Sequence, residues 1–542
     1  MRSVGVVGEV ALGWSTGRPP IALVDTDPPR WADGAVDGSV GHTAGPLVAS
    51  AVRPLERVRI GSLDLPLAIN TYTGGPPDWP ARLLYAATGS VAAVTALHVL
   101  LGALLILLVH RFVRVHGSDV SAAAAALLLA TDWHFVFYKK VLGGTELALQ
   151  GAVILCLHAA WSRRWGGGRN ALLALGLGVG LGLLAKSTFA LTLVALGLAL
   201  ALTRWDRPSL RPPRDTQTWK PALAVLVLTA PLWVAAIHRA VAPELPADLR
   251  THDLGGQQWN RVLNALQLGR TPVREELGNI RAWAGSPLAF LSRAYGVEPT
   301  SDLLSPLRGL GWLLVGAGAL LAWRDRHPTP REALHRLCTV FLLLQVGLLL
   351  LVARDLHHLA QAAPTLAVVA GLSLDALAGH WTPPRGPRRA GAVLGLCLPW
   401  ILAGSLALWQ TDALVNRVRV PTFTRGGQAA LVSLLRESGA ERVVVADYES
   451  YGVFETLAPD LRVEHAWPLV ARERREATVA VLQHAAGAHL LVPRASAPMT
   501  YNLPQGKPAL TAAAEAAGVT LEPVGRLSDD AATLYAVRPR TD

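Results

Sequence analysis

The sequence predicts a polytopic α-helical membrane protein with a small α/β domain at its C-terminal end. Three observations predict it. Of 542 residues, 51% are hydrophobic and only 16% charged, with positive mean hydropathy, a balance far from that of a soluble domain. Apolar runs long enough to span a bilayer, or nearly so, recur from residue 83 to residue 411. Beyond residue 411 the pattern changes to short strand-like runs that alternate with helix-like ones.

The spans, in chain order, are about 83–112, 119–138, 146–162, 170–185, 188–203, 220–241, 306–323, 334–353, 357–379 and 390–411. The stretch GLLAKSTFALTL is either one bent helix or two short ones turning at Lys186. Every second connection is rich in Arg and Lys: HRFVRVH (110–116), SRRWGGGR (162–169), RWDRPSLRPPRDTQTWK (204–220), WRDRHPTPREALHR (323–336) and HWTPPRGPRR (380–389). The net charge of +11 therefore marks membrane topology rather than a nucleic-acid surface, and these five connections face the cytoplasm. The other connections then face outward: residues 139–145, Lys186, the long loop 242–305 and the cluster Arg354, Asp355, His357, His358.

The chain divides accordingly. Residues 1–82 form an outward N-terminal segment and first loop, 83–411 a transmembrane helical domain, and 412–542 a periplasmic or extracellular α/β domain. In the last, ERVVVADY, AHLLVPR and ATLYAVRP read as strands, while RGGQAALVSLLRESG, RREATVAVLQHAAG and PALTAAAEAAG read as helices. Residues 1–24 contain no adequate apolar run and no convincing signal peptide, so an outward N-terminal segment implies that the chain as written lacks a first transmembrane helix. Cys156, Cys338 and Cys397 lie in apolar runs without zinc-ligand spacing and read as small core hydrophobes.

Ionisable groups at or inside membrane spans are costly and are functional candidates for that reason. Here they gather on the outward side: Asp27, Asp33, Lys139, Lys140, Glu146, Lys186, Arg354, His357 and His358. Arg354 with His357 and His358, plus Lys139 or Lys140, can hold a phosphate, since guanidinium fits phosphate oxygens bidentately and Lys and His add point charges or donors. The plain alternative is that the cations snorkel to headgroups and the histidines cap helix ends. For Glu146, at GGTELALQ, the plain alternative is a first-turn acid favouring the helix dipole behind an N-cap at Thr145. Transfer of a sugar from a lipid phosphate needs both halves of such a set. The phosphate departs without a general acid but leaves negative charge for cations to stabilise, and one carboxylate serves as base for the attacking hydroxyl. A single carboxylate opposite the leaving group gives inversion.

At these residues the chain resembles the GT-C glycosyltransferases, specifically the family 39 type that includes the protein mannosyltransferases and the lipid A aminoarabinose transferases. DPPRWADGA (27–35) is similar to that family's first-loop pattern, with Asp27 on the catalytic acidic position and Pro28 where the family has a second acid. LPLAINTYTGGPPDWPARLLYAATG (65–89), which carries Tyr72, resembles the segment where a Pro-rich loop leads into a helix. YKKVLGGTELALQ (138–150) resembles the later outward loop that ends in an acid, here Glu146. LGLGVGLGLLAKST (175–188) is similar to the Gly-rich helix ending in Lys-x-Thr, and ARDLHHLAQAAP (353–364) sits where the family places an Arg-Tyr or His pair before a Pro. The likeness covers roughly residues 25–380.

The resemblance implies a GT-C-like helical membrane fold in a bacterial plasma membrane, with the active site and C-terminal domain on the periplasmic or extracellular side. It implies a polyprenyl-phosphate sugar donor and a lipid, glycan or protein acceptor. Asp27 and Glu146 are then the catalytic candidates, and Tyr72, Lys139, Lys140, Lys186, Arg354, His357 and His358 the substrate-binding ones. No cofactor is fixed; a divalent cation stays open, weakened by Pro28. The rival classes are a membrane transporter, which would place its charges nearer the midplane and often shows internal repeats, and a polymerase or ligase of lipid-linked glycans.

Overall fold

The computed structural model describes residues 57–60, 63–66, 76–88, 91–164, 169–186, 188–203, 219–241, 304–324, 328–353, 356–383, 386–418, 425–445, 462–465, 479, 482–483, 485–493, 506–527 and 532–540. A short antiparallel pair, β1 (Arg57–Ile60) and β2 (Leu63–Pro66), precedes the helices. These are α1 (Trp79–Thr88), α2 (Val91–His116), α3 (Asp119–Thr131), α4 (Trp133–Arg164), α5 (Arg169–Ala185), α6 (Phe189–Leu202), α7 (Trp219–Val241), α8 (Leu304–Leu321) and α9 (Pro330–Ala353). A 3₁₀ segment, Leu356–Ala362, then leads directly into α10 (Ala363–Ala378), and α11 spans Pro387–Val418.

Local sequence sets several of these boundaries. Thr329-Pro330-Arg331-Glu332 closes a capping box at the start of α9: the Glu332 carboxylate accepts the Thr329 backbone N–H at 2.7 Å, with Pro330 in the first turn. Ser118 caps α3 by accepting the Ser121 N–H at 3.0 Å. Several expected boundaries move: the run 83–112 falls in two helices, α1 and α2, and the run 357–379 opens as a 3₁₀ segment before α10. The run 119–138 stops at Thr131 because Asp132 takes an extended conformation and its carboxylate accepts the Phe135 N–H at 3.0 Å, ending one helix and capping the next. Residues 139–145, expected as an outward connection, lie inside α4: no proline interrupts them, and a glycine pair is tolerated within a helix. The stretch around Lys186 is two short helices, α5 and α6.

Every residue of α10 except Ala376 is buried, which makes it the axis of the bundle. It packs against α3, α8, α9 and α11. Small residues permit the close approach: a Cβ on Gly318 of α8 would collide with the Ser373 backbone, and one on Gly371 would meet the Ser121 carbonyl. The outer surface is apolar, with Leu100, Leu104 and Leu107 along α2 and Leu394, Leu398 and Leu402 along α11 exposed at helical spacing. Among the described residues, four stretches are long and apolar enough to cross a membrane: Ala96–His116, Pro330–Leu349, Leu359–Ala378 and Pro387–Gln410. Five shorter apolar helices accompany them. This is the helical membrane architecture expected from the hydropathy pattern. The three cysteines are free and buried.

The last part of the chain holds a five-stranded mixed sheet in the order β4-β3-β5-β7-β6, with β3 at Arg442–Val445, β4 at Arg462–His465, β5 at His489–Pro493, β6 at Val519–Arg526 and β7 at Ala532–Pro539. β3 pairs in parallel with β4 and β5, while β7 runs antiparallel to β5 and β6. Helices α12 (Arg425–Glu437) and α13 (Gly506–Ala516) end at Gly439 and Gly518, whose φ of 67° and 66° need glycine. The three expected strands are present. β4 and β6 are additional: β4 is only four residues long, and Pro523 and Gly525 interrupt the alternation that opens β6.

Candidate active site

Helices α4 and α5 run antiparallel, and Arg163, Arg164 and Arg169 mark the ends where the short connection 165–168 joins them. Glu146 stands roughly 27 Å along α4 from Arg164, and Lys186 roughly 26 Å along from Arg169, at 1.5 Å per residue. Equal depth lets them meet. The Lys186 Nζ donates to Glu146 Oε1 at 3.1 Å, with the two residues 0% and 1% exposed. The dipole explanation for Glu146 does not apply, because α4 begins thirteen residues earlier, at Trp133. A buried ion pair is a poor route to stability, since desolvation offsets most of the Coulomb gain. Its second oxygen, Oε2, is buried without a hydrogen-bond partner.

Further buried polar groups lie close to this pair along the chain. Gln150, one turn along α4 from Glu146, donates through Nε2 to the Ala360 carbonyl of the 3₁₀ segment at 2.8 Å. The next residue, Gln361, accepts through Oε1 from the Thr192 hydroxyl of α6 at 3.2 Å. Thr192 in turn accepts from Gln345 Nε2 of α9 at 3.4 Å, and Gln345 Oε1 accepts from Thr365 of α10 at 3.1 Å. All of these side chains are buried. Besides Glu146 Oε2, three further atoms here are buried without partners: Gln150 Oε1, Gln361 Nε2 and the Thr188 hydroxyl. Buried polar atoms are almost always satisfied in native proteins, so four open ones on residues beside the pair and the 3₁₀ segment mark a place that stability alone did not shape.

The structure thus brings Glu146 and Lys186 together, and through Gln150 it ties α4, one turn from Glu146, to the segment that carries His357 and His358. Lys139 and Lys140 lie on α4, two turns before Glu146; their side chains, and those of the two histidines, are not among those described. Asp27, Tyr72, Arg354 and residues 242–303 of the expected loop 242–305 lie outside the described residues, and residues 304 and 305 open α8. Among the described residues no group of three or more His, Cys, Asp and Glu side chains is gathered as a metal-binding set. Glu146 has a lysine, not a second carboxylate, as its partner.

Two charged clusters escaped sequence reasoning. At the Arg-rich end of α10, Asp375 accepts from Ser118 at 2.6 Å, from Ser121 at 2.5 Å and from Arg389 Nε at 2.5 Å, and it pairs with Arg331 as well. Arg389 also donates to the Asp375 carbonyl at 2.9 Å. Beside it His335 Nε2 and the Ser373 hydroxyl are 2.8 Å apart. The signal was a lone carboxylate inside the span 357–379. The second cluster joins Asp132, His134 and Arg308, all buried. Asp132 Oδ1 lies 3.7 Å from His134 Nδ1, the Arg308 guanidinium stands 5.4 Å over the Trp400 ring, and its charge reaches both Asp132 and His134. Asp132, Arg308 and Trp400 each sit roughly 20 Å from the Arg-rich ends of α3, α8 and α11. The pair Asp132 and His134 interrupts an apolar run, which was the available signal.

Residues 77–234 match a family model described as dolichyl-phosphate-mannose-protein mannosyltransferase. That stretch holds Lys139, Lys140, Glu146 and Lys186. The chain is also similar in fold to ArnT from Cupriavidus metallidurans in the apo state, with 14% identity, a TM-score of 0.52, and coverage of 99% of this chain and 98% of that one. The same protein bound to undecaprenyl phosphate gives 14% identity, a TM-score of 0.53 and coverage of 98% of each chain. No curated protein matches significantly. The fold is that of the GT-C glycosyltransferases.

Proposed function

We propose that a chain with this fold is an integral-membrane glycosyltransferase that moves a sugar from a polyprenyl-phosphate donor to an acceptor on the outer face of the plasma membrane. The observation that carries the reading is the buried Glu146–Lys186 pair, whose Glu146 Oε2 is left open. An ion pair built only for stability would leave no oxygen without a partner. The lipid phosphate bound by the similar ArnT structure supports the donor class.

In this reading Asp27 takes the proton from the acceptor hydroxyl as its oxygen attacks the anomeric carbon. The carbon–oxygen bond to phosphate breaks and its electron pair leaves with the phosphate, giving inversion. Glu146, held in one orientation by Lys186, accepts a hydrogen bond through Oε2 that orients acceptor or base. Arg354, His357, His358, Lys139 and Lys140 receive the charge that builds on the phosphate. Lys186 acts through Glu146, and Tyr72 lines the donor. The acceptor is a lipid, glycan or protein; residues 1–82 and 412–542 share the outward side with the site.

The transporter reading has one observation in its favour, the break between α3 and α4 at Asp132, because charged helix breaks at depth are common in transporters. The similarity of fold along the whole chain supports the transferase instead. The test is transfer itself, with the purified chain in liposomes and a panel of polyprenyl-phosphate sugars, followed by release of polyprenyl phosphate. Asp27→Asn should abolish release while the protein still inserts. Full activity in that variant would remove Asp27 from its role, and no release from any donor would remove the reading.

A further inference from the structure

The 3₁₀ segment Leu356–Ala362 is seven residues long, whereas 3₁₀ runs beyond three or four are uncommon because their hydrogen bonds are poorly aligned. Its own backbone does little to hold it. Leu359, Ala360, Gln361 and Ala362 are buried, so apolar packing would suffice to bury the segment. Two glutamines nevertheless tie down its fifth and sixth residues. Gln150 takes the Ala360 carbonyl from α4, and Gln361 is held by Thr192 from α6. Behind Thr192, a chain of donors runs one way, from Thr365 to Gln345 to Thr192 to Gln361, so the hydroxyl and amide orientations are mutually fixed.

The placement of these ties gives them a purpose. Gln150 lies one turn from Glu146 on the same face of α4, and Thr192 lies one turn from Thr188, just past Lys186 on α6. The segment is therefore fastened to α4, which carries Glu146, and to α6, which begins three residues after Lys186. His357 and His358 occupy its first turn, on the side of Ala360 away from α10. Each glutamine gives one amide atom to the tie and leaves the other, Gln150 Oε1 and Gln361 Nε2, buried without a partner. An apolar side chain of similar volume would avoid that loss. Directional ties at such a cost fit a segment whose orientation matters.

We propose that Gln150 and Gln361 are positioning residues for the lipid-phosphate donor, fixing the 3₁₀ segment so that its first turn faces the Glu146–Lys186 pair. This rests on the reading that His357 and His358 seat the donor phosphate. Both glutamines act through the segment; neither touches the reacting atoms.

The test uses the full chain in detergent micelles and undecaprenyl phosphate as the probe, with affinity and thermal unfolding measured in parallel. Gln150→Leu and Gln361→Leu should each weaken binding about tenfold, the worth of one fixed hydrogen bond to a charged group, with unfolding temperatures near wild type. His357→Ala should weaken binding in the wild-type background yet add less than about twofold in Gln150→Leu, because the misplaced histidine has already lost its contact. Gln150→Met and Gln361→Met, which keep side-chain length, serve where the leucine variants do not fold. Multiplicative losses in the double variant overturn the proposal, since general destabilisation acts in both backgrounds. Wild-type affinity in the glutamine variants, beside weakened binding in His357→Ala or His358→Ala, overturns the positioning role and leaves the donor seat standing. Wild-type affinity in both histidine variants removes the donor seat, and the positioning role with it.

Discussion

The two ends of α10 solve the same problem, a carboxylate inside an apolar bundle, in opposite ways. At the Arg-rich end, Asp375 is saturated: two serines and two arginines from α3, α9 and α11 converge on its two oxygens. At the other end, Glu146 has one lysine on one oxygen and, among the described residues, no hydrogen-bond partner on the second, and the glutamines and threonine around it keep open atoms of their own. A carboxylate with every lone pair engaged fastens helices together and has nothing left to offer a substrate. One with an open oxygen, beside other open atoms, keeps that capacity and contributes little to stability. Satisfaction, more than burial or charge, separates fastener from site.

The comparison breaks most readily at Asp375. Asp375→Ala strands two guanidinium groups and two hydroxyls in the bundle and should cost about 3–5 kcal/mol, the range for removing one partner of a buried pair. The readout is thermal unfolding and monodispersity in detergent; a wild-type profile would mean that the knot fastens nothing. Glu146→Gln should lower sugar transfer about a hundredfold or more, the usual weight of a positioned acid or base, while the unfolding temperature moves far less than in Asp375→Ala. Unchanged turnover would place Glu146 among the structural residues.

A paired replacement sharpens the contrast. Glu146→Leu with Lys186→Leu removes both charges of a buried ion pair and should lower the unfolding temperature far less than Asp375→Ala, yet transfer nothing. Asp375→Leu with Arg389→Leu should stay destabilised, because Arg331, Ser118 and Ser121 still lose their acceptor. Equal recovery at both ends would erase the distinction. Within the knot the two arginines should also differ. Arg389 is nearly buried and donates to both the carboxylate and the Asp375 carbonyl, whereas the Arg331 side chain is 33% exposed. Arg389→Ala should cost about 2 kcal/mol and Arg331→Ala under about 1 kcal/mol in unfolding measurements.

Much of this molecule was legible in its sequence. Hydropathy located the helices, since a span is a property of consecutive residues. Charge within apolar runs singled out Glu146 and Lys186, since a membrane tolerates such groups only with a partner. The same rule should have raised Asp375, Asp132 and Arg308; Arg331 and Arg389 were read only as topology signals, a role that their place in Arg-rich connections explained fully. The helix ends near Asp132 were misplaced because one residue capped two helices, which periodicity does not register. Gln150, Gln361 and Thr192 carried no signal, being neutral polar residues in apolar surroundings.

The sequence by itself determined depth. Residue count along a helix sets height at a fixed rise, so Glu146 and Lys186 were bound to the same level, and the Arg-rich connections to a common end. Partnership was decided only by the tertiary structure. Glu146 and Lys186 are 40 residues apart and Ser118 and Asp375 are 257 apart, and which of them meet depends on the rotation of each helix and on its neighbours. Small residues at Gly318 and Gly371 set how closely α10 is gripped. Those contacts alone decide whether a carboxylate at a given depth is filled on every side or left with an oxygen to use.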